Sequence, residues 1–450
     1  MSLPRYPVYK DSGVAWLGEV PGHWIVTALK RGFDVTLGKM LQPESNSPDD
    51  ELLPYLRAAN IQWSGMETTD IKQMWLSKRD RAQLRLERDD LLVSEGGDVG
   101  RSCLWAAEID ECYFQNSVNR VRVRDGNSNH YLYYWMSVIK DKGYIDVLCN
   151  KSTIAHFTAE KVAAVPVPFP PPEEQFAIAI FLDRETGKID ALVAEQEKLI
   201  QLLREKRQAV ISHAVTKGLN PAAPMKDSGI EWLGDVPAHW EVVPLKQVVS
   251  QIESGVSVNA SDQPASETEL GVLKTSCVYS GQFDANENKT VIEAEIDRVA
   301  CPLKAGTLIV SRMNTPDLVG AAGLVKCAPQ NIYLPDRLWQ VSFSSAAPAF
   351  VHYWTQSVLY RAQIRVVCAG TSSSMQNLGQ DQFRTFSFPN PPQSEQEAIA
   401  DFLDREIAKL DELTAEAQHG IELLKERRSA LISAAVTGKI DVRGVEELKP

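Results

Sequence analysis

The feature that most restricts what this chain can fold into is an internal duplication, the signature of two copies of one structural plan. The stretch from Lys10 to Trp24, KDSGVAWLGEVPGHW, returns 216 positions later as Lys226 to Trp240, KDSGIEWLGDVPAHW, with 11 of 15 residues identical. A longer stretch, Glu174 to Thr216, returns 221 positions later as Glu395 to Thr437, with 26 of 43 identical. Between these blocks lie residues 25–168 and 241–389, where likeness thins to scattered positions. Tyr55-Leu-Arg-Ala faces Val272-Leu-Lys-Thr, Leu92-Val-Ser faces Ile309-Val-Ser, Tyr134-Trp135 faces Tyr353-Trp354, and Cys149 faces Cys368. The two displacements differ by five because the second insert is five residues longer. A duplicated scaffold therefore carries two diverged inserts.

This gives a shared block (1–24), a variable domain (25–168), and a shared block with a long helix (169–216). A linker and the repeated WLGxVPxHW block follow (217–240), then a second variable domain (241–389) and a closing shared block with a second long helix (390–450). Prolines in Phe169-Pro-Pro-Pro172 and Pro389-Asn-Pro-Pro392 end extended chain and introduce helices, whose first turn tolerates proline. Glu173, Glu174 and Gln175, and then Glu395 and Gln396, suit the positive end of the helix dipole. From about Thr186 the apolar residues take a heptad-like spacing. Ile189, Leu192, Leu199 and Leu203 in the first copy, with Leu410, Leu413, Ile421 and Leu424 in the second, are the expected packing stripe. The expectation is two long helices packed as an antiparallel coiled coil with a pseudo-two-fold repeat. A helix over residues 186–216 would be about 46 Å long. The variable domains read as mixed α/β, with β-rich runs at 90–94, 120–123 and 306–311 and helical patterns at 131–142 and 348–361.

Catalytic signatures are absent from this reading. Gly96-Gly97 with Gly100 lacks both dinucleotide-loop spacing and the lysine of a phosphate loop, and no HExxH or GxSxG occurs. Asn390-Pro391-Pro392-Gln393 resembles the Asn/Asp-Pro-Pro-aromatic motif of amino-methyltransferases. Gln393 replaces the aromatic, however, and no glycine-rich S-adenosylmethionine loop precedes it. The seven cysteines are never closer than nine positions, which disfavours zinc knuckles and a disulfide framework. His23 and His239 recur beside Trp24 and Trp240, which points to scaffold packing rather than metal ligation. No apolar run approaches the roughly 20 residues of a membrane span, and the first residues lack a signal-peptide pattern, so a cytoplasmic location is expected. Net charge of −12 counts against a nucleic-acid partner unless the contact surface is locally basic.

Doubled WLGxVPxHW blocks (Trp16–Trp24, Trp232–Trp240), proline-led EQxxIAxFLD segments (Glu174–Asp183, Glu395–Asp404) and helices ending at Ala214-Val-Thr216 and Ala435-Val-Thr-Gly438 resemble the specificity subunit of Type I restriction–modification systems. The resemblance covers the whole chain. It implies that each variable domain is a target-recognition domain reading one half of a bipartite, asymmetric site in double-stranded DNA. It implies that the helices set the spacer and dock two modification subunits. Chemistry would then lie elsewhere: S-adenosylmethionine in the modification subunit, ATP and magnesium in the restriction subunit, no catalytic residue, metal or cofactor in this chain. A specificity factor of a methylation-only or phage-defence complex, a nuclease or methyltransferase with an unread motif, and a non-DNA coiled-coil scaffold are the alternatives.

Candidate contacts combine charge, hydrogen-bonding capacity and matched position. In the first copy they are Arg57, Arg101, Gln115, Asn116, Arg120, Lys151, Ser152, Thr153 and His156. In the second they are Lys274, Arg312, Asn314, Arg337, Thr371, Ser372, Ser373 and Gln376. Arg, Asn and Gln suit bidentate base contacts; Lys, Ser and Thr more often hold phosphates.

Overall fold

The computed structural model describes residues 3–149, 156–368 and 375–444. The chain divides into two compact units, Met1–Gln196 with His419–Pro450, and Glu197–Gln418.

In the first unit the apolar run Leu91–Ser94 forms a strand inside a four-stranded antiparallel sheet, ordered Ser102–Leu104, Leu91–Ser94, Val118–Val123, Phe33–Leu37. All four residues of that strand are buried because the sheet is covered on both faces. Leu91 and Val93 enter a core with Trp135, Tyr131 and Trp24, while Leu92 enters another with Trp105, Leu56 and Phe114. The second unit repeats this order with Ala322–Leu324, Leu308–Ser311, Leu338–Phe343 and Val249–Ser254. There Leu308 and Val310 face one core and Ile309 the other. A three-stranded sheet accompanies each: Tyr113–Phe114, Glu51–Leu56, Lys72–Leu76 in the first unit, and Ile332–Tyr333, Gly271–Leu273, Asn288–Thr290 in the second. The inserts are thus one topology built twice.

The repeated blocks form the joints. In the first unit Glu174, near the start of its helix, accepts hydrogen bonds from Tyr6 Oη (2.5 Å), Trp24 Nε1 (2.9 Å) and His23 Nε2 (2.8 Å). In the second, Glu395 accepts from His239 Nε2 (2.8 Å) and Trp240 Nε1 (3.1 Å). The next residue ties the helix to the variable domain. Gln175 accepts from the Ser128 amide and donates to Asn127 Oδ1, and Gln396 accepts from the Ala347 amide and donates to Asn390 Oδ1. The methyltransferase-like Asn390 is therefore a brace for the helix start. Tyr134 donates to Asp183 at 2.7 Å and Tyr353 to Asp404 at 2.5 Å, which gives the FLD aspartates their role.

The helices span Pro172–Lys217 and Gln393–Val436, 46 and 44 residues. Each is longer than the heptad stretch suggests, because the EQxxIAxFLD segment is itself helical and buries Ile178, Phe181 and Leu182, or Ile399 and Leu403, at helical spacing. Antiparallel packing shows within each unit: Asp190 accepts from Arg428 Nε at 2.8 Å in the first, and Asp411 from Arg207 Nη1 at 2.5 Å in the second. These are the same pair of repeat positions used twice. The seam differs from the expected stripe. Ile189, Leu203, Leu410 and Ile421 are buried and Leu424 half-buried, but Leu192, Leu199 and Leu413 are 46, 42 and 47% exposed. From Ile189 the seam continues through Val193, Gln196 and Ile200, so those three leucines lie one residue, roughly 100° of helix, off it. Among the described residues no helix is long and apolar enough to cross a membrane.

His352, 4% exposed in the helix Pro348–Thr355, lies 2.8 Å from Gln356 Nε2. Burial first, then Lys326 and Arg207 against an opposing Asp404, pushes its imidazole down from 6.5 to about 4. Above pH 6.5 the ring is neutral whether the unit is folded or not. Between 6.5 and about 4 only the unfolded chain takes up the proton, so stability falls with pH by up to about 1.4 kcal/mol per unit. Urea denaturation at pH 7 and pH 5 is expected to show this loss and His352→Gln to reduce it. An unchanged pH dependence in the variant would refute the assignment.

Candidate nucleic-acid interface

In the first unit, loops gather where Leu91–Ser94 and Val118–Val123 meet at their ends. The ladder runs one step beyond Ser94, with the Glu95 amide donating to the Ser117 carbonyl at 2.9 Å. Arg101 returns beside it, donating from Nη2 to the Ala58 carbonyl at 3.0 Å, and the Ala58 amide donates to Ser117 Oγ. Arg57 donates to Asp70 Oδ2 at 2.7 Å, with its own amide held by Asn60 Oδ1. The Gln115 amide bonds the Leu56 carbonyl and that of Asn116 the Lys39 carbonyl. His156 is exposed, its Nδ1 lying 3.9 Å from Glu95 Oε1. Five candidates, Arg57, Arg101, Gln115, Asn116 and His156, thus converge on one cluster of loops. Burial raises the Glu95 carboxyl above its ordinary range, and its Oε2 is a buried acceptor with no hydrogen-bond partner among the described residues.

Arg120 does not belong to this cluster. It lies mid-strand opposite Leu92 and Thr36, is 7% exposed, and donates to the Gln83 and Arg85 carbonyls at 3.1 Å and to Thr36 Oγ1. Its guanidinium also lies over the Phe114 ring, 5.6 Å from the centroid. Every part of that group is turned to the interior, so Arg120 is a core brace rather than a DNA contact. Lys151, Ser152 and Thr153 lie outside the described residues, as do Thr371, Ser372 and Ser373.

The second unit gathers the equivalent loops. The Arg312 amide donates to the Arg337 carbonyl at 3.1 Å, continuing the ladder beyond Ser311. Arg312 Nε donates to the Asp336 carbonyl at 2.7 Å, and Met313–Asn314 pairs with Gln376–Asn377. Asn314 is buried and inward-facing: it donates to Tyr279 Oη at 2.8 Å and to Ser311 Oγ, and accepts from the Thr315 amide. It holds Tyr279, itself 38% exposed and bonded to Thr275 Oγ1, instead of presenting its own amide. Lys274 caps the turn Thr275–Val278 that carries this tyrosine toward the cluster. Arg337 is exposed, and its side chain makes no hydrogen bond or ion pair among the described residues.

Sequence reasoning passed over Glu95, Ser117 and Tyr279. The first was within reach, since aligning Leu92-Val-Ser with Ile309-Val-Ser sets Glu95 opposite Arg312. Ser117 and Tyr279 had no such signal.

The sequence profile of the Type I restriction modification DNA specificity domain matches residues 38–202 and 237–423. Similar relatives include the Type I restriction enzyme EcoKI specificity subunit of Escherichia coli K12, 22% identical over 433 residues, covering 94% of this chain and 90% of the relative. The MjaVIII specificity subunit of Methanocaldococcus jannaschii is 25% identical over 369 residues, covering 80% of each. Among solved structures, a chain from work on complex assembly and conformational transition of the type I R-M system superposes with a TM-score of 0.64 at 15% identity, covering 93% of this chain and 98% of that one. The HsdS subunit of Thermoanaerobacter tengcongensis gives 0.55 at 15% identity, with the same coverage.

Proposed function

Since the chain belongs to the Type I restriction modification DNA specificity family, we propose that each variable domain reads one half of a bipartite, asymmetric site in double-stranded DNA. The two helices set the distance between the half-sites and, with the repeated blocks, dock two modification subunits. The chain is a reader without catalysis of its own; S-adenosylmethionine belongs to the modification subunits, and ATP and magnesium to restriction subunits where these are present. The observation that carries the reading is one sheet order built twice with unlike residues at equivalent strand ends. A duplicated reader with two surfaces calls for two unlike half-sites rather than a palindrome. An acidic chain can contact DNA where its charge is locally positive, as at Arg312 and Arg337. The net charge of −12 is the one observation that favours a scaffold without DNA.

Methylome sequencing of cells expressing this chain with its modification subunit tests the proposal. The expected result is one motif of two different halves around a fixed spacer. Inserting one heptad at matched places in both helices adds about 10 Å, so the spacer should lengthen by roughly three base pairs with both halves unchanged. An unaltered spacer would refute the ruler role. Methyl transfer by the purified chain alone, or no sequence preference in the complex, would refute the reader role.

A further inference from the structure

At the point where the two central strands of each unit run out, one pair of residues faces across the ladder. In the second unit the register Ser311 to Leu338 continues to Arg312 and Arg337, joined by a backbone hydrogen bond of 3.1 Å. In the first, Ser94 to Val118 continues to Glu95 and Ser117, joined by the same bond at 2.9 Å. Two topologically identical positions therefore carry Arg and Arg in one unit, Glu and Ser in the other.

The arginine pair is costly on its own terms, since like charges directly opposite on neighbouring strands repel. Neither arginine has a carboxylate partner among the described residues. Arg312 is anchored through Nε on the Asp336 carbonyl and reaches Asn377 Oδ1 at 3.5 Å. Arg337 has no such anchor, is exposed, and has its backbone fixed by the ladder on one side and by Ser254 Oγ, which donates to the Asp336 and Leu338 carbonyls, on the other. A rigidly based, unpaired guanidinium projecting from a strand end has five donors and no acceptor.

We propose that Arg337 is a specificity-determining residue that reads a guanine in the second half-site through its O6 and N7 acceptors. The contact is the bidentate pairing that guanidinium geometry favours in the major groove. The inference rests on the DNA-reading function proposed above and adds the base class and the residue. The equivalent position of the first unit cannot make this contact. Ionised Glu95 only accepts hydrogen bonds, and the single Ser117 hydroxyl carries one proton, one donor short of a bidentate contact. The half-sites are therefore chemically unlike at matched positions of the two readers.

The test uses the complex of full chain and modification subunit, with a panel of duplexes each carrying one base-pair change in the motif. Arg337→Ala is expected to lose about 5- to 150-fold of discrimination at a single G·C pair of the second half-site, the 1–3 kcal/mol of a bidentate contact. The first half-site should be unaffected, and Arg337→Lys should recover part of the loss. Circular dichroism melting of each variant should match the parent chain, because the side chain holds nothing in the fold. A uniform loss on all duplexes with a salt slope reduced by about one would mean a phosphate contact and overturn the proposal. Unchanged discrimination at every position would overturn it as well. A parent complex with no sequence preference would instead overturn the DNA-reading function, and this inference with it.

Discussion

Replacing Glu174 by alanine is expected to destabilise the first unit by about 3–5 kcal/mol, the cost of breaking a buried charged network by removing one partner. The carboxylate is 4% exposed and takes three donors, Tyr6 Oη, His23 Nε2 and Trp24 Nε1, with Arg443 Nη1 at 3.9 Å. Without it, the fully buried Trp24 indole and the Tyr6 hydroxyl are left as unsatisfied donors. Tyr6 also has the Arg443 guanidinium over its ring at 4.9 Å, and Asp441 donates its amide to the Pro4 carbonyl, so the loss spreads to the knot that joins the first residues to the last. The same change at Glu395 is expected to cost only about 1 kcal/mol, because that carboxylate is 28% exposed and has two donors. Guanidinium denaturation of the full chain, followed by tryptophan fluorescence, measures both. Equal costs at Glu174 and Glu395 would refute the claim that the missing third donor and deeper burial decide the difference.

Gly255→Ala is expected to cost about 3 kcal/mol or more, through overpacking against atoms that cannot give way. A Cβ there would stand 1.6 Å from the Leu334 carbonyl oxygen and 2.4 Å from its carbon. Gly38 holds the matching place in the first unit, with the Gln115 carbonyl oxygen 2.3 Å from the added atom. Both glycines follow an edge strand, Val249–Ser254 or Phe33–Leu37, and let the chain pass against backbone beside the strand-end cluster. Gly420→Ala is the contrast. It sits in the C-terminal helix with nothing within 4 Å of the added carbon, and alanine should stabilise that helix by about 0.5–1 kcal/mol. Thermal melting of the two variants tests this, and a Gly255→Ala chain as stable as its parent would contradict the close approach.

The sequence by itself determined the duplication, the two long helices, the mixed α/β inserts and the family, because each is written in local or repeated pattern. Repetition also marked Glu174 with Trp24, and Glu395 with Trp240, as scaffold, although not that each carboxylate receives the indole of its own unit. What only the tertiary structure decided is which of several chemically equal residues faces inward. Apolar residues crowd the helix at 189, 192, 193, 199, 200, 202 and 203, and a heptad reading shifted by one residue turns the seam by roughly 100°. Only the folded chain shows that Ile200 is buried and Leu199 42% exposed. Charge misled for the same reason. Arg120 and Arg337 are identical as letters, yet one is surrounded by carbonyls brought from residues 83 and 85 while the other stands clear at a strand end. The neighbours that settle a guanidinium's fate come from distant parts of the chain, and local pattern contains no term for them.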